Sequence, residues 1–302
     1  MTCYSPIAGY RNRAPGKTGG FGITFRKENS NGQKVEVACG QCIGCRLDKS
    51  REWAIRCVHE AQMHEDNCFI TLTYNNKNLP EDGSLDKTHF QKFMKRLRKN
   101  NKHKIRFFQC GEYGDQLTRP HYHACLFGHN FKDQKFFSEK NENKLYTSKQ
   151  LDDTWAKGFA TIGHMTFQSA AYTARYLIKK ITGEAAHAHY ENVNTQTGEI
   201  TQLVSEYTTM SRRPGIGKTW YEKYKDDLYP RDECVIDGRI MKPPRYYAKM
   251  YQQEEPENYE HIKENRKRFF GKHQHDATWQ RLADREKVKH AQIQNLNRSI
   301  ET

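Results

Sequence analysis

Nowhere in the 302 residues does an apolar run approach the roughly 18 that a membrane-spanning helix requires, and no stretch joins strong amphipathicity to exposed aromatics. A membrane role is set aside. The opening residues Met1-Thr2-Cys3-Tyr4-Ser5-Pro6 lack the charged start and apolar stretch of a secretory signal, so a reducing cytosol is expected. An even cysteine count, usual in a secreted disulfide framework, is also missing. The nine cysteines are therefore expected as thiols or metal ligands. There is no internal repeat. Acid is absent from Lys87 to Arg106, a segment that holds nine lysines and arginines.

What is present is positive charge. A net charge of +14 and a pI near 9.3 call for a polyanionic partner, because a basic surface recruits phosphates by long-range attraction and counterion release. Nucleic acid leads, and the chain is long enough to bury a proper core as one large domain or two small ones.

Residues 1 to about 45 read as a small extension, with Val35-Glu36-Val37-Ala38 as a short strand before a cysteine cluster. From Leu47 to about Glu65 an apolar stripe of Trp53, Ile55, Cys57, Val58 and Ala61 predicts a helix. Strands are expected at Phe69–Tyr74, Ile105–Cys110, Tyr122–Phe127 and Phe159–Met165. Between the first two, Asp86 can cap a helix whose Phe90, Phe93, Met94 and Leu97 fall at i, i+3, i+4 and i+7. Its unbalanced charge, including Lys92, Lys95, Arg96 and Arg98, is costly by self-repulsion unless an anion binds, so these residues are DNA-contact candidates. Another helix is expected over Ser169–Ile181, ended by Gly183. The mixture predicts an α+β fold, an antiparallel sheet flanked by helices. Beyond residue 184 come a polar stretch, a basic segment rich in Pro and Tyr, and from about Pro256 a charged, partly ordered helical tail anchored by Phe269, Trp279, Leu282 and Val288.

Two patterns carry chemistry. His121 and His123 project from the same side of a strand, close enough to share one ion, and Glu112 stands nine residues earlier as a third ligand, with Asp115 as fallback. Two imidazoles and a carboxylate suit Mg²⁺ or Mn²⁺ in a nuclease. About fifty residues on, Tyr172 and Tyr176 lie four apart on one helix face, with Lys179, or alternatively Lys180, placed to stabilise a phenolate. A metal beside paired tyrosines points to phosphoryl transfer through a covalent intermediate.

At these residues the chain resembles the HUH (His-hydrophobic-His) endonucleases that start rolling-circle DNA replication, and more narrowly the replication initiators of gokushovirus-type microviruses. Three pieces match in order: Phe69-Ile70-Thr71-Leu72-Thr73-Tyr74, His121-Tyr122-His123, and the double-tyrosine helix. The resemblance runs to about residue 250. It implies an RRM-like central antiparallel palm over 61–185, after a Cys-rich extension and helix at 1–60 and before a basic accessory region and charged tail at 186–302. It also implies site-specific nicking and joining of single-stranded origin DNA through a 5′-phosphotyrosine, alternation between two phenols, host helicase and polymerase as partners, and the bacterial host cytoplasm as location.

Cys39, Cys42 and Cys45 form two overlapping C-x₂-C units that can give three thiolates to a structural zinc, with Cys3, Cys57 or His59 as the fourth ligand. Lys49 stands where a ferredoxin run would place its last cysteine, so an iron–sulfur cluster fits poorly. Gly215-Ile216-Gly217-Lys218-Thr219 echoes a phosphate loop, but Arg212 occupies the required earlier glycine position. His64, His129 and His164 have no partner pattern and read as ordinary polar or packed residues. Arg119, Arg175, Arg212 and Arg213 complete the DNA-contact candidates. Two other classes fit the charge alone: a non-catalytic DNA-packaging or virion protein, and a zinc-dependent nucleic-acid binder.

Overall fold

Chain order is β1 (Ile7–Asn12), β2 (Ile23–Thr24), β3 (Ser30–Val37), α1 (Ile43–Ala61), β4 (Asn67–Tyr74), α2 (Lys87–Lys99), β5 (Arg106–Tyr113), β6 (Pro120–Phe127), β7 (Lys135–Lys140), β8 (Asn143–Thr147), α3 (Lys149–Trp155), β9 (Gly158–Gly163) and α4 (Phe167–Lys179). There follow α5 (Ala185–His189), β10 (Glu191–Val193), β11 (Ile200–Gln202), β12 (Tyr207–Met210), α6 (Lys218–Leu228), β13 (Cys234–Ile236), β14 (Arg239–Met241), α7 (Arg245–Glu254), α8 (Pro256–Lys272) and α9 (Trp279–Gln294). The structure, a computed structural model, describes residues 3–16, 21–114, 119–140, 143–179, 185–193 and 198–294. The chain divides into two units, residues 1–49 with 263–297, and residues 50–262 with 298–302.

In the larger unit seven strands form one sheet in the order β12-β5-β6-β4-β9-β8-β7, antiparallel at every pairing. The fold is α+β, as the sequence pattern predicts. β4 and β6 are nearly continuous runs of β-formers because helices cover both faces of the sheet. On one face Ile70, Leu72, Tyr74, Tyr122, Ala124 and Leu126 pack with Phe90, Phe93, Met94 and Leu97 of α2 and with Leu151 and Trp155 of α3. The other face carries the alternate residues Phe69, Phe108, Cys110, Cys125 and Phe127 against Ala54 and Cys57 of α1 and Ala170, Tyr172 and Ala174 of α4. The outer side of α1 builds a third core with α6, α7 and the β13–β14 hairpin, around Ile55, Trp220, Tyr221 and Tyr247.

Local chemistry fixes the element ends. Asp86 caps α2 by accepting from the Thr88 amide at 2.7 Å. At the start of α4 the Ser169 amide donates to Thr166 Oγ1 at 3.1 Å and the Thr166 amide to Ser169 Oγ at 2.8 Å, a reciprocal capping box. Gly158 opens β9 with a φ of 157°, where a Cβ would sit 2.2 Å from the Thr73 carbonyl oxygen, so only glycine lets the two strands meet.

Several expectations are corrected. The N-terminal extension is not one strand but the three-stranded sheet β2-β1-β3. The 135–147 segment forms the β7–β8 hairpin, and residues 207–210 supply an edge strand beside β5. In the tail only Leu282 of the four expected anchors is buried; Phe269, Trp279 and Val288 are exposed, because a helix that is polar nearly all round has no stripe to bury. The end of α4 expected at Gly183 lies outside the described residues.

Candidate active site

Strand register assembles the site. Across the β5–β6 ladder Glu112 stands directly opposite His121, and Cys110 opposite His123; on the other side of β6, Thr73 pairs with His121 and Thr71 with His123. Because side chains alternate, these residues share the face that α1 and α4 cover, and the face turns from phenylalanine and cysteine to carboxylate and imidazole at its end. His121 is the only residue of β6 that is not buried.

Glu112 Oε1 lies 2.9 Å from His121 Nε2 and 2.6 Å from His123 Nε2. His121 Nδ1 lies 3.0 Å from the Arg119 carbonyl oxygen, which can only accept, so Nδ1 carries a proton and a neutral ring turns the lone pair of Nε2 toward the carboxylate. Two lone pairs at that distance repel unless a cation lies between them. Thr71 Oγ1 holds His123 Nδ1 at 2.9 Å and fixes that ring in the same sense, the outer-sphere orientation usual for metal-binding histidines. The second carboxylate oxygen, Glu112 Oε2, is buried with no hydrogen-bond partner among the described residues. Burial pushes the Glu112 carboxyl upward, but the two imidazoles outweigh it and hold the group below the ordinary carboxylate value. The donor set therefore fits one small divalent cation, and the three ligand atoms lie within 4.8 Å of one another.

The first tyrosine of the helix meets this group. The Tyr172 ring packs edge-on to the His123 ring at 5.0 Å between centroids, and the Arg175 guanidinium lies 5.5 Å over the Tyr172 ring. Tyr172 is 4 % exposed, so its phenol sits under cover of α4. Tyr176 and Lys179 lie one and nearly two turns on, with side chains outside the described residues; Lys180 and Asp115 fall wholly outside them.

The basic candidates separate. Arg96 donates to the Thr154 and Trp155 carbonyls at the C-terminal end of α3, at 2.8 and 3.0 Å, satisfying acceptors that a helix end leaves open. Arg98 donates to the Ile105 carbonyl at 2.8 Å, and Arg119 to the Tyr74 carbonyl at 2.7 Å. Lys92, Lys95, Arg212 and Arg213 are exposed. The α2 lysines sit across the sheet from Glu112, His121 and His123, on the face that α2 and α3 cover.

Residues that sequence reasoning missed are positioning ones. Thr71 lies inside the first motif, yet its part follows only from the β4–β6 register. Phe69 stacks on His123 with centroids 5.6 Å apart and planes 5° from parallel. The phosphate-loop echo has a different use: the Gly217 amide donates to Glu60 Oε2 at 2.7 Å, while Glu60 Oε1 takes Arg106, so a buried carboxylate holds the amide. His64 also approaches Glu60, at 3.4 Å. A second group of ligand-type residues, Cys3, Cys39, Cys42 and Cys45, lies in the smaller unit. Of the three candidates for its fourth member, Cys3 is the one beside it; Cys57 is packed in the sheet core, and His59 stacks on Trp220 at 3.5 Å.

Comparison with known proteins agrees with this geometry. The family model of replication-associated proteins of the ORF2 type matches residues 67–181. Replication-associated protein VP4 of Bdellovibrio phage phiMH2K is 34 % identical over 273 residues, covering 86 % of this chain and 80 % of its own length. Replication-associated protein ORF2 of Spiroplasma virus 4 is 33 % identical over 248 residues, 77 % of this chain and 73 % of its own. Replication-associated protein ORF4 of Chlamydia phage 1 is 34 % identical over 220 residues, 70 % and 52 %. No solved structure matches the chain. No helix among the described residues is long and apolar enough to cross a membrane.

Proposed function

The chain belongs to the replication-associated proteins of gokushoviruses, and from that premise we propose that it is a metal-dependent, site-specific endonuclease and strand transferase that starts and finishes rolling-circle replication of phage DNA. The observation that carries the reading is the convergence of Glu112, His121 and His123 on one point with the Tyr172 ring against His123.

Glu112, His121 and His123 would hold Mg²⁺ or Mn²⁺, which polarises a phosphodiester oxygen when bound. The protein's own groups do the rest. Thr71 and the Arg119 carbonyl keep both imidazoles in the tautomer that offers Nε2. A phenol of the α4 pair, Tyr172 or Tyr176, loses its proton and attacks phosphorus; the new O–P bond forms as the bond to the 3′ oxygen breaks, and that oxygen takes up a proton. Arg175, Lys179 and Lys180 supply the cations that favour phenolate and receive the phosphate charge. The products are a 5′-phosphotyrosine and a free 3′ hydroxyl, which the host polymerase and helicase extend in the bacterial cytoplasm. After one round the second phenol cuts the regenerated origin, and the 3′ hydroxyl displaces the first tyrosine to close the circle. Lys92, Lys95, Arg212 and Arg213 contribute phosphate contacts, which set affinity and salt dependence rather than origin choice.

The test is incubation with origin-bearing phage single-stranded DNA and Mn²⁺, followed by denaturing electrophoresis. The wild-type protein is expected to leave a covalent adduct that maps to the α4 peptide. Tyr172→Phe and Tyr176→Phe each lower the yield, and the double variant gives none. Undiminished adduct in the double variant overturns the reading, and absence of any adduct favours a non-catalytic DNA-binding role.

A further inference from the structure

The sheet β1–β2–β3 has almost nothing beneath it. Among the described residues up to position 49 the buried hydrophobic side chains are Cys3 and Tyr4 alone, while Ile7, Phe21, Ile23 and Phe25 are all exposed. An antiparallel sheet this small needs a packed face or a covalent or metal clasp to persist. The described cysteines are all free thiols, so no disulfide supplies it.

What lies at the base of the sheet is a sulfur cluster. Cys3 Sγ is 3.6 Å from Cys39 Sγ and 3.9 Å from Cys42 Sγ, and Cys39 Sγ is 4.0 Å from Cys45 Sγ. Four sulfurs held at about 2.3 Å from a central zinc lie about 3.8 Å apart along each tetrahedral edge. A disulfide needs about 2.05 Å, roughly half these separations. The backbone is arranged for thiolates: the Cys42 and Gln41 amides donate to Cys39 Sγ at 3.2 and 3.4 Å, the Tyr4 amide to Cys42 Sγ at 3.3 Å, and the Cys39 amide to Cys3 Sγ at 3.3 Å. Such N–H···S bonds spread the charge of a metal-bound sulfur and orient it.

We propose that Cys3, Cys39, Cys42 and Cys45 form a closed tetrathiolate zinc site that holds the N-terminal sheet together. Cys3 ties the residues before β1 to the loop after β3, and Cys45 extends the site into the first turn of α1. With four protein sulfurs and no open position, the site is structural rather than catalytic. It is independent of the Glu112, His121 and His123 group, whose nitrogen and oxygen donors select a harder ion.

The test uses the full-length protein purified under reducing conditions without chelator. Elemental analysis is expected to give one zinc per chain after dialysis, retained in a His121→Ala/His123→Ala variant. Replacement by cobalt is expected to produce the strong visible bands of a tetrahedral ion with thiolate-to-cobalt charge transfer. Cys3→Ser weakens that charge transfer by one sulfur's share, and removing zinc abolishes amide protection across 7–37. If the variant does not fold, the wild-type metal content and cobalt spectrum decide alone. Four thiols that all react with a disulfide reagent in native metal-free protein, iron in place of zinc, or a spectrum unmoved by Cys3→Ser in folded protein would each overturn the proposal.

Discussion

β6 and β3 are both eight residues long, yet β6 buries seven of its residues while β3 buries one. The central sheet is held by apolar side chains on both faces, so its strands tolerate polar chemistry only at an end, where Glu112 and His121 stand. The N-terminal sheet shows its apolar residues to solvent and gathers its thiols at one point. One region derives its order from packing and the other from ligand chemistry. The lesson is that exposed hydrophobics such as Phe25 are no sign of a missing core when another clasp is at hand.

Substitutions can break or sharpen that contrast. The largest effect is expected from Phe93→Ala, which empties a fully buried site between α2 and the sheet and lowers unfolding free energy by about 3–5 kcal/mol in urea titration. A loss below about 1 kcal/mol would show that packing does not hold the palm. Next comes Thr71→Val, which keeps shape but removes the oxygen that orients His123. Calorimetric Mn²⁺ affinity should fall roughly 10- to 100-fold with little change in melting. Unchanged affinity would mean that Thr71 only packs.

Acid should act on the palm through His59, whose buried ring is held neutral with its value pushed down to about 3 from the ordinary 6.5. The unfolded chain takes up a proton below pH 6.5 that the folded one refuses, so stability is full above that pH and is lost as pH falls toward 3. Glu60 acts in the same direction. Burial raises its value, but His64, the Gly217 amide and Arg106 together bring it below 4.5, so its contribution fades under that pH. His59→Gln should flatten the decline by up to roughly 1.4 kcal/mol per pH unit between about pH 6 and 5. Parallel declines in the two proteins would discard the assignment. Smallest of all, Phe25→Ala, at a ring 62 % exposed, should shift stability by no more than about 0.5 kcal/mol. A larger loss would reveal a packed face on the N-terminal sheet.

Much of the palm was legible because its periods are clean. Phe90, Phe93, Met94 and Leu97 behind Asp86 specify α2, and the alternation in 120–127 specifies β6 with both imidazoles on one side. The β7–β8 hairpin was not, since Lys135, Lys140 and Lys144 interrupt Phe136, Phe137 and Tyr146, and an edge pairing relies on backbone rather than side-chain pattern. β12 escaped for another reason: its partner β5 lies about a hundred residues earlier, and no local signal reports a distant pairing. The charge run in α2 misled in part, because Arg96 and Arg98 are spent on backbone carbonyls of their own fold. Within the site the residue types were readable, whereas the roles of Thr71 and Phe69 came from register alone.

The ladder carries one more consequence. Tyr113 and Pro120 form its last rung, and Glu112 and His121 the rung before. Lengthening or shortening the connection beyond Tyr113 leaves that rung intact, so evolution is at liberty there. Deleting a single residue inside β5 would instead turn the carboxylate to the opposite side of the sheet, among Tyr122 and Phe90, and erase the site at a stroke.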